Sequence, residues 1–113
     1  MDIESIRSFC LSQENVTESF PFGEETLVFK ANDKIFLLLA LDEQPARINV
    51  KCDPDRAIEL RESYSAVLPG YHMNKKHWNT IIMDGELDNA AVKSEILHSY
   101  GLVTAKKSKP KKS

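Results

Sequence analysis

"TLVFKANDKIFLLLALDEQPARINVKC", running from Thr26 to Cys52, decides the fold. Its hydrophobic period is two, which is the signature of a half-buried strand rather than a helix. Leu27 and Phe29 fall on one face, and Thr26, Val28 and Lys30 on the other. "ANDK" at 31–34 has the composition of a tight hairpin turn. The following "IFLLLAL" at 35–41 is apolar on both faces, as in a central strand covered on both sides. "DEQPA" turns the chain again. "RINVKC" then alternates, with Ile48, Val50 and Cys52 inward and Arg47, Asn49 and Lys51 outward. Three such segments joined by short turns predict an antiparallel meander.

The flanks read as helices. In "MDIESIRSFCLSQ" the apolar residues Ile3, Ile6, Phe9 and Cys10 recur at helical spacing, with Asp2 and Glu4 where the helix dipole favours acids. Asn15 begins a turn, and "VTESFPFGEE" carries Pro21 and Gly23 as punctuation. After the meander, Asp53 can cap free amides and Pro54 suits the first helical position. Asp55 favours the first turn of a second helix, which runs to about Tyr64. "SAVLPGYHMNKKHWNTIIM" gives a short strand, a Pro-Gly turn, a polar loop and a strand at 78–83, which Asp84-Gly85 ends. Asp88 caps a third helix, Leu87 can staple against Val92, and Gly101 is placed to terminate it.

The order is helix, about four strands, helix, two strands, helix. This predicts an α+β two-layer sandwich, an antiparallel sheet with helices on one face. Residues 1–103 form one domain, and the lysine-rich 104–113 is expected to be disordered.

Composition excludes several classes. With 42% hydrophobic and 28% charged residues the chain of 113 residues is that of a globular protein. Its longest apolar run, 35–41, is far too short to span a bilayer. No basic-then-apolar leader opens it, so the cytosol is the expected location. Cys10 and Cys52 both fall in apolar patterns and read as small core residues; a single disulfide is the less common alternative. The formal charge of −2 is unevenly spread. The tail carries Lys106, Lys107, Lys109, Lys111 and Lys112 and no acid. Without those lysines, ten bases face 17 acids, a net of −7. That argues against strong non-specific affinity of the folded part for nucleic acid.

Chemistry concentrates in "PGYHMNKKHWNTI", 69–81. His72 and His77 are five apart with no third ligand at helical spacing, so no metal and no cofactor is expected. No nucleophile elbow, Gly-rich phosphate loop or HExxH occurs, and an inward Cys52 would be inert. The many carboxylates fall on helix faces and turns, where solvated surface is the simplest reading. No enzyme is expected. For DNA, Lys75 and Lys76 can neutralise phosphates, Asn74, Asn79 and His77 can bond to phosphate or base edges, and Trp78 can stack. The alternative is that Trp78 and Ile81 anchor the loop while the lysines keep it soluble, and composition alone favours it. The tail, with Lys106 and Lys107 at its start, can add affinity without sequence specificity.

Three stretches, "SFPFGEETLVFKANDKIFLLLAL", "INVKCDPDRAIELRESYSAVLPGYHMNKKHWNTI" and "ELDNAAVKSEILHSYGLV", together resemble the MmcQ/YjbR-like family of small bacterial proteins. The most specific pieces are "KCDP" at 51–54 and "PGYHMNKKHWNT" at 69–80. The resemblance implies a CyaY-like (frataxin-like) α+β sandwich and a protein predicted to bind DNA through two wing-like loops. The second wing would fall at 72–79 and so include His72. Arg47 and Lys51, outward on their strand, are added as basic contributors by the alternation above. Iron binding of the frataxin kind is not expected, because Asp2, Glu4, Glu14 and Glu18 are spaced too widely to share one ridge. The partner expected is therefore DNA, bound by a monomer or weak homodimer. The competing reading is a protein-interaction or small-ligand module that uses the open sheet face.

Overall fold

The hairpin at the centre of the chain closes on two residues. In the computed structural model, whose described residues are 1–70 and 74–105, Asn32 and Asp33 both take positive φ (53° and 67°) between paired Ala31 and Lys34. That is the left-handed pair a two-residue hairpin needs, and Asn and Asp tolerate it best after Gly. The hairpin joins β2 (Thr26–Ala31) to β3 (Lys34–Ala40). With β1 (Val16–Ser19), β4 (Arg47–Lys51), β5 (Val67–Pro69) and β6 (Trp78–Ile82) they form one antiparallel sheet in the order β1-β2-β3-β4-β6-β5. The helices are α1 (Ile3–Leu11), α2 (Pro54–Ser63) and α3 (Asn89–Thr104).

The alternation read from sequence is the one observed. Leu27, Phe29, Ile48, Val50 and Ile81 face the helices and join Ile6, Cys10, Val92 and Ile96 in the main core. Val28, Leu38 and Trp78 form a smaller buried cluster on the other face, with Ile35 packed against it. β3 breaks strict alternation once. The register steps from Phe29↔Leu37 to Lys30↔Ile35, so Phe36 is an extra residue. This β-bulge lets Phe36 and Leu37 both enter the main core, where each is fully buried and contributes about 2 kcal/mol. α3 is pinned across the bulge by Ser99. Its hydroxyl donates to the Phe36 carbonyl (2.5 Å) and accepts from the Lys51 amide (2.8 Å).

The expected caps are in place. Asp2, Asp53 and Asp88 accept from the amides of Ser5, Arg56 and Ala91. Both thiols are free and buried, and burial pushes Cys10 up to about 12 and Cys52 up to about 11. Three expectations need correction. Residues 16–19, read as part of a turn region, form edge strand β1, held to α1 by the two-pronged Arg7–Glu18 pair at 2.6 and 2.7 Å. Gly101 does not end α3. The helix runs on to Thr104, with the Ala105 amide donating to the Gly101 carbonyl, because burying Val103 offsets the cost of about 1 kcal/mol for a helical glycine. Finally, Glu95 is not solvated surface but only 3% exposed, paired with Arg56 of α2 at 2.6 Å.

Antiparallel pairing gives the molecule two distinct ends. At one end lie the start of α1, the 20–25 and 41–46 connections and the 83–88 segment. Bonds from the Leu41 amide to the Glu25 carbonyl, from Met83 to Ala46 and from the Met1 amine to Asn89 tie them together. At the other lie the β2–β3 turn, the end of β4, residues 74–77 before β6, and the end of α3.

Candidate nucleic-acid interface

Residues 74–77 form a tight turn whose backbone is fastened on three sides. The Asn74 side chain accepts from the Lys76 amide (2.8 Å), and the His77 amide donates to the Asn74 carbonyl (3.1 Å). The Cys52 amide donates to the His77 carbonyl (2.7 Å), extending the β4–β6 pairing by one step. From α2, Arg61 donates through Nη2 to the Lys75 carbonyl (2.7 Å) and through Nε to Asn79 Oδ1 (2.9 Å). With the peptide oxygens engaged inward, the Asn74, Lys75 and Lys76 side chains are left exposed, and His77 is half-buried. Lys75 and Lys76 make no ion pair among the described residues.

The other residues named from sequence divide. Lys51 pairs with Trp78 and adjoins the turn. Arg47 lies at the opposite end of the same strand, beside Glu43 at 3.8 Å, so it does not join the turn. Trp78 is only 8% exposed and packs with Val28 and Leu38, which makes it a brace. Its backbone is approached so closely that a Cβ on Gly70 would sit 2.9 Å from the Trp78 Cβ. Asn79 faces away from the surface. It is 1% exposed, and its amide donates to the Ala57 carbonyl (3.3 Å) while its oxygen holds Arg61. Asn79 is thus a buried support for the turn rather than a ligand contact. His72, Lys106 and Lys107 lie outside the described residues.

Arg61 is the residue that sequence reading missed. It stands one helical turn after Ala57, on the core-facing stripe of α2, and an arginine on such a stripe must reach a polar partner. A second polar cluster joins α2, α3 and the end of β4. Arg56 bonds Glu95 and Ser94, and the Asp53 amide donates to His98 Nε2 (3.1 Å), which therefore carries no proton. Burial, then the Arg56 charge, hold His98 below the usual imidazole range against the opposing pull of Glu95 and Asp53. Among the described residues no three of His, Cys, Asp and Glu come together as a metal site, and no helix is long and apolar enough to cross a membrane.

Charge follows the two ends. Around the end away from the turn stand Asp2, Glu4, Glu24, Glu25, Asp42 and Glu43, all exposed, with Asp84, Glu86 and Asp88 beside them. Phe20 and Phe22 lie in the same region, 50% and 65% exposed. The turn end carries Lys30, Lys34, Lys51, Lys75 and Lys76, together with the exposed acids Glu14, Asp33, Asp53 and Asp55.

These features define a small α+β protein with a six-stranded antiparallel sheet backed by three helices, and a braced basic turn at one end. A family model described as YjbR matches residues 11–102, and the chain belongs to that family. The uncharacterised protein YbdF of Escherichia coli O157:H7 is 36% identical over 100 residues, 88% of this chain and 82% of YbdF. The uncharacterised protein YjbR of Escherichia coli K12 is 27% identical over 88% of this chain and 85% of its own. Among solved structures, the Deinococcus radiodurans protein DR2400 superposes with a TM-score of 0.89 at 36% identity, covering 96% of this chain and 82% of that one. A Pseudomonas syringae protein gives 0.79 at 25% identity, covering 91% and 99%.

Proposed function

We propose that this chain is a cytosolic, non-enzymatic DNA-binding protein of frataxin-like fold, which grips the phosphate backbone with the 74–77 turn as a wing and with its lysine tail. The observation that carries the reading is the turn itself. Its peptide groups are bonded inward by Arg61, Cys52 and Asn74, while the Lys75 and Lys76 side chains are exposed and make no ion pair among the described residues. A basic turn fixed in this way presents charge to phosphates at little ordering cost. Trp78 and Asn79 serve as its foundation.

A salt titration of binding to a mixed-sequence duplex tests this. The log–log slope should fall by about 1.8 in K75Q/K76Q, because each lost phosphate contact removes about 0.9. Deleting 104–113 should weaken binding further without abolishing it. If the intact protein shows no salt-dependent binding at low ionic strength, or the deletion removes all of it, the wing has no such role.

A second reading, a protein-interaction module, gains support from the pair of aromatic residues in the 20–25 connection. The apolar residues of β3 are buried apart from the half-buried Ile35 and Ala40, whereas Phe20 and Phe22 stand in solvent. Exposed aromatics of this kind mark docking sites. Under this reading F20S/F22S abolishes self-association seen by light scattering; a monomer at all concentrations removes it for a second copy of the chain.

A further inference from the structure

We infer that the end of the molecule away from the basic turn is a docking surface for a basic, amphipathic segment of another protein. The apolar side chains of that segment lie on Phe20 and Phe22, and its lysines or arginines face the surrounding carboxylates. This rests on the protein-interaction reading of the two phenylalanines, adds the chemistry of the partner, and is independent of the DNA-binding reading.

The apolar surface is held in shape by the backbone beneath it. Phe20, Pro21 and Phe22 are consecutive and exposed. The Gly23 amide donates to the Phe20 carbonyl and the Thr26 amide to the Gly23 carbonyl, each at 3.4 Å. Gly23 itself sits at φ 111°, a conformation open to glycine. The aromatic pair is thus carried on a folded turn and needs little further ordering to be bound. The neighbouring 41–46 connection is bonded at its start to Glu25 and at its end to Met83. Beside that end lies a cleft of about 350 Å³ with Ile3, Pro45, Ala46 and Met83 in its walls, lined also by Asp2 and Glu4. β2, which follows the aromatic turn, and β6, which leads to Met83, are three strand spacings apart, roughly 14 Å. A helix of about ten residues covers that distance.

The charge around this surface has one sign. Segments 1–4, 20–25, 41–46 and 83–88 hold nine carboxylates and no Lys, Arg or His side chain, so an acidic partner is repelled and a basic one attracted. Asp2 and Asp88 cap helices, and Glu86 is engaged by the Ser65 and Ala66 amides. Glu4, Glu24, Glu25 and Asp42 are exposed and make no ion pair among the described residues. Of the cations at this end, the Met1 amine donates to Asn89 (3.0 Å) and Arg47 stands beside Glu43 (3.8 Å). A second copy of the chain is a poorer match. Its turn end sets Glu14, Asp33, Asp53 and Asp55 among the lysines, and stacking opposite ends gives an assembly that does not close.

Fluorescence anisotropy on the full chain tests this with a labelled helical peptide of lysine and leucine, about twelve residues and roughly 18 Å long. F20S/F22S, at two exposed positions, should weaken binding at least about tenfold, and E24Q/E25Q about threefold. E14Q/D33N, which removes the same charge from the opposite end, should leave the affinity unchanged. Peptides with glutamate for lysine, or with serine for leucine, should each bind at least about tenfold more weakly. Equal weakening by E14Q/D33N and E24Q/E25Q reduces the attraction to average charge and overturns the proposal, as does a lysine-leucine peptide that does not bind. If the glutamate peptide binds as tightly and F20S/F22S weakens both, the aromatic docking site stands and the basic partner fails. Unchanged affinity in F20S/F22S removes the docking site itself. Growth of the chain alone in light scattering, lost in K75Q/K76Q, makes the occupant a second copy and overturns the partner named here.

Discussion

His98 shows how a single side chain makes the turn end sensitive to pH. It accepts the Asp53 amide, so it must be neutral in the fold, and both burial and Arg56 keep it so. In the unfolded chain its pKa returns to about 6.5. As pH falls through that value the unfolded chain takes up the proton first, and stability declines until the lower folded pKa is passed. Stability from this site is therefore complete above about 6.5 and lost below it. Urea denaturation at pH 7.5, 6 and 5 should show the decline, and H98Q should flatten it; an equal slope in both proteins would assign the acid sensitivity elsewhere. Glu95 behaves differently from the other carboxylates because it is desolvated. Its partner Arg56 keeps 39% side-chain exposure against 4% for Glu95. Losing the arginine should thus cost more than losing the glutamate, since only the former strands a buried charge.

Among the elements, those legible in the sequence were the ones whose residue pattern matched their burial. β2, β3 and β4 alternate or run apolar, and the three capping aspartates announce their helices. β1 was not legible because it is four residues at an edge with one apolar side chain, stabilised by Arg7–Glu18 rather than by its own pattern. The end of α3 was misjudged at Gly101 because a local breaker was outweighed by burial of Val103, a tertiary effect. In the turn, the type and spacing of Lys75 and Lys76 were readable, and so was the inward face of Asn79, two residues before core-facing Ile81, though it was read as a contact; its partner Arg61 could not be seen without α2. The bulge in β3 was equally hidden. The Phe36 carbonyl there accepts from the Ser99 hydroxyl, so S99A leaves the Phe36 oxygen and the Lys51 amide without that partner. We expect S99A to lower stability by about 2 kcal/mol, seen as a reduced urea midpoint at unchanged m-value.

For the molecule as a whole, the segregation of charge along the strands has a practical consequence for how it meets a surface. A protein of pI 5.9 should pass through a cation exchanger at pH 7 and be held only by an anion exchanger. A molecule whose exposed lysines concentrate at one end, and whose other end carries acids, should adhere to both, standing on opposite ends in the two cases. Full-length protein is expected to be retained on phosphocellulose and on a quaternary-amine resin alike. The K75Q/K76Q variant lacking 104–113 should elute earlier from the first and later from the second. Immobilised on a cationic film, the protein would present its 74–77 turn outward to solution, an orientation that average charge gives no reason to expect.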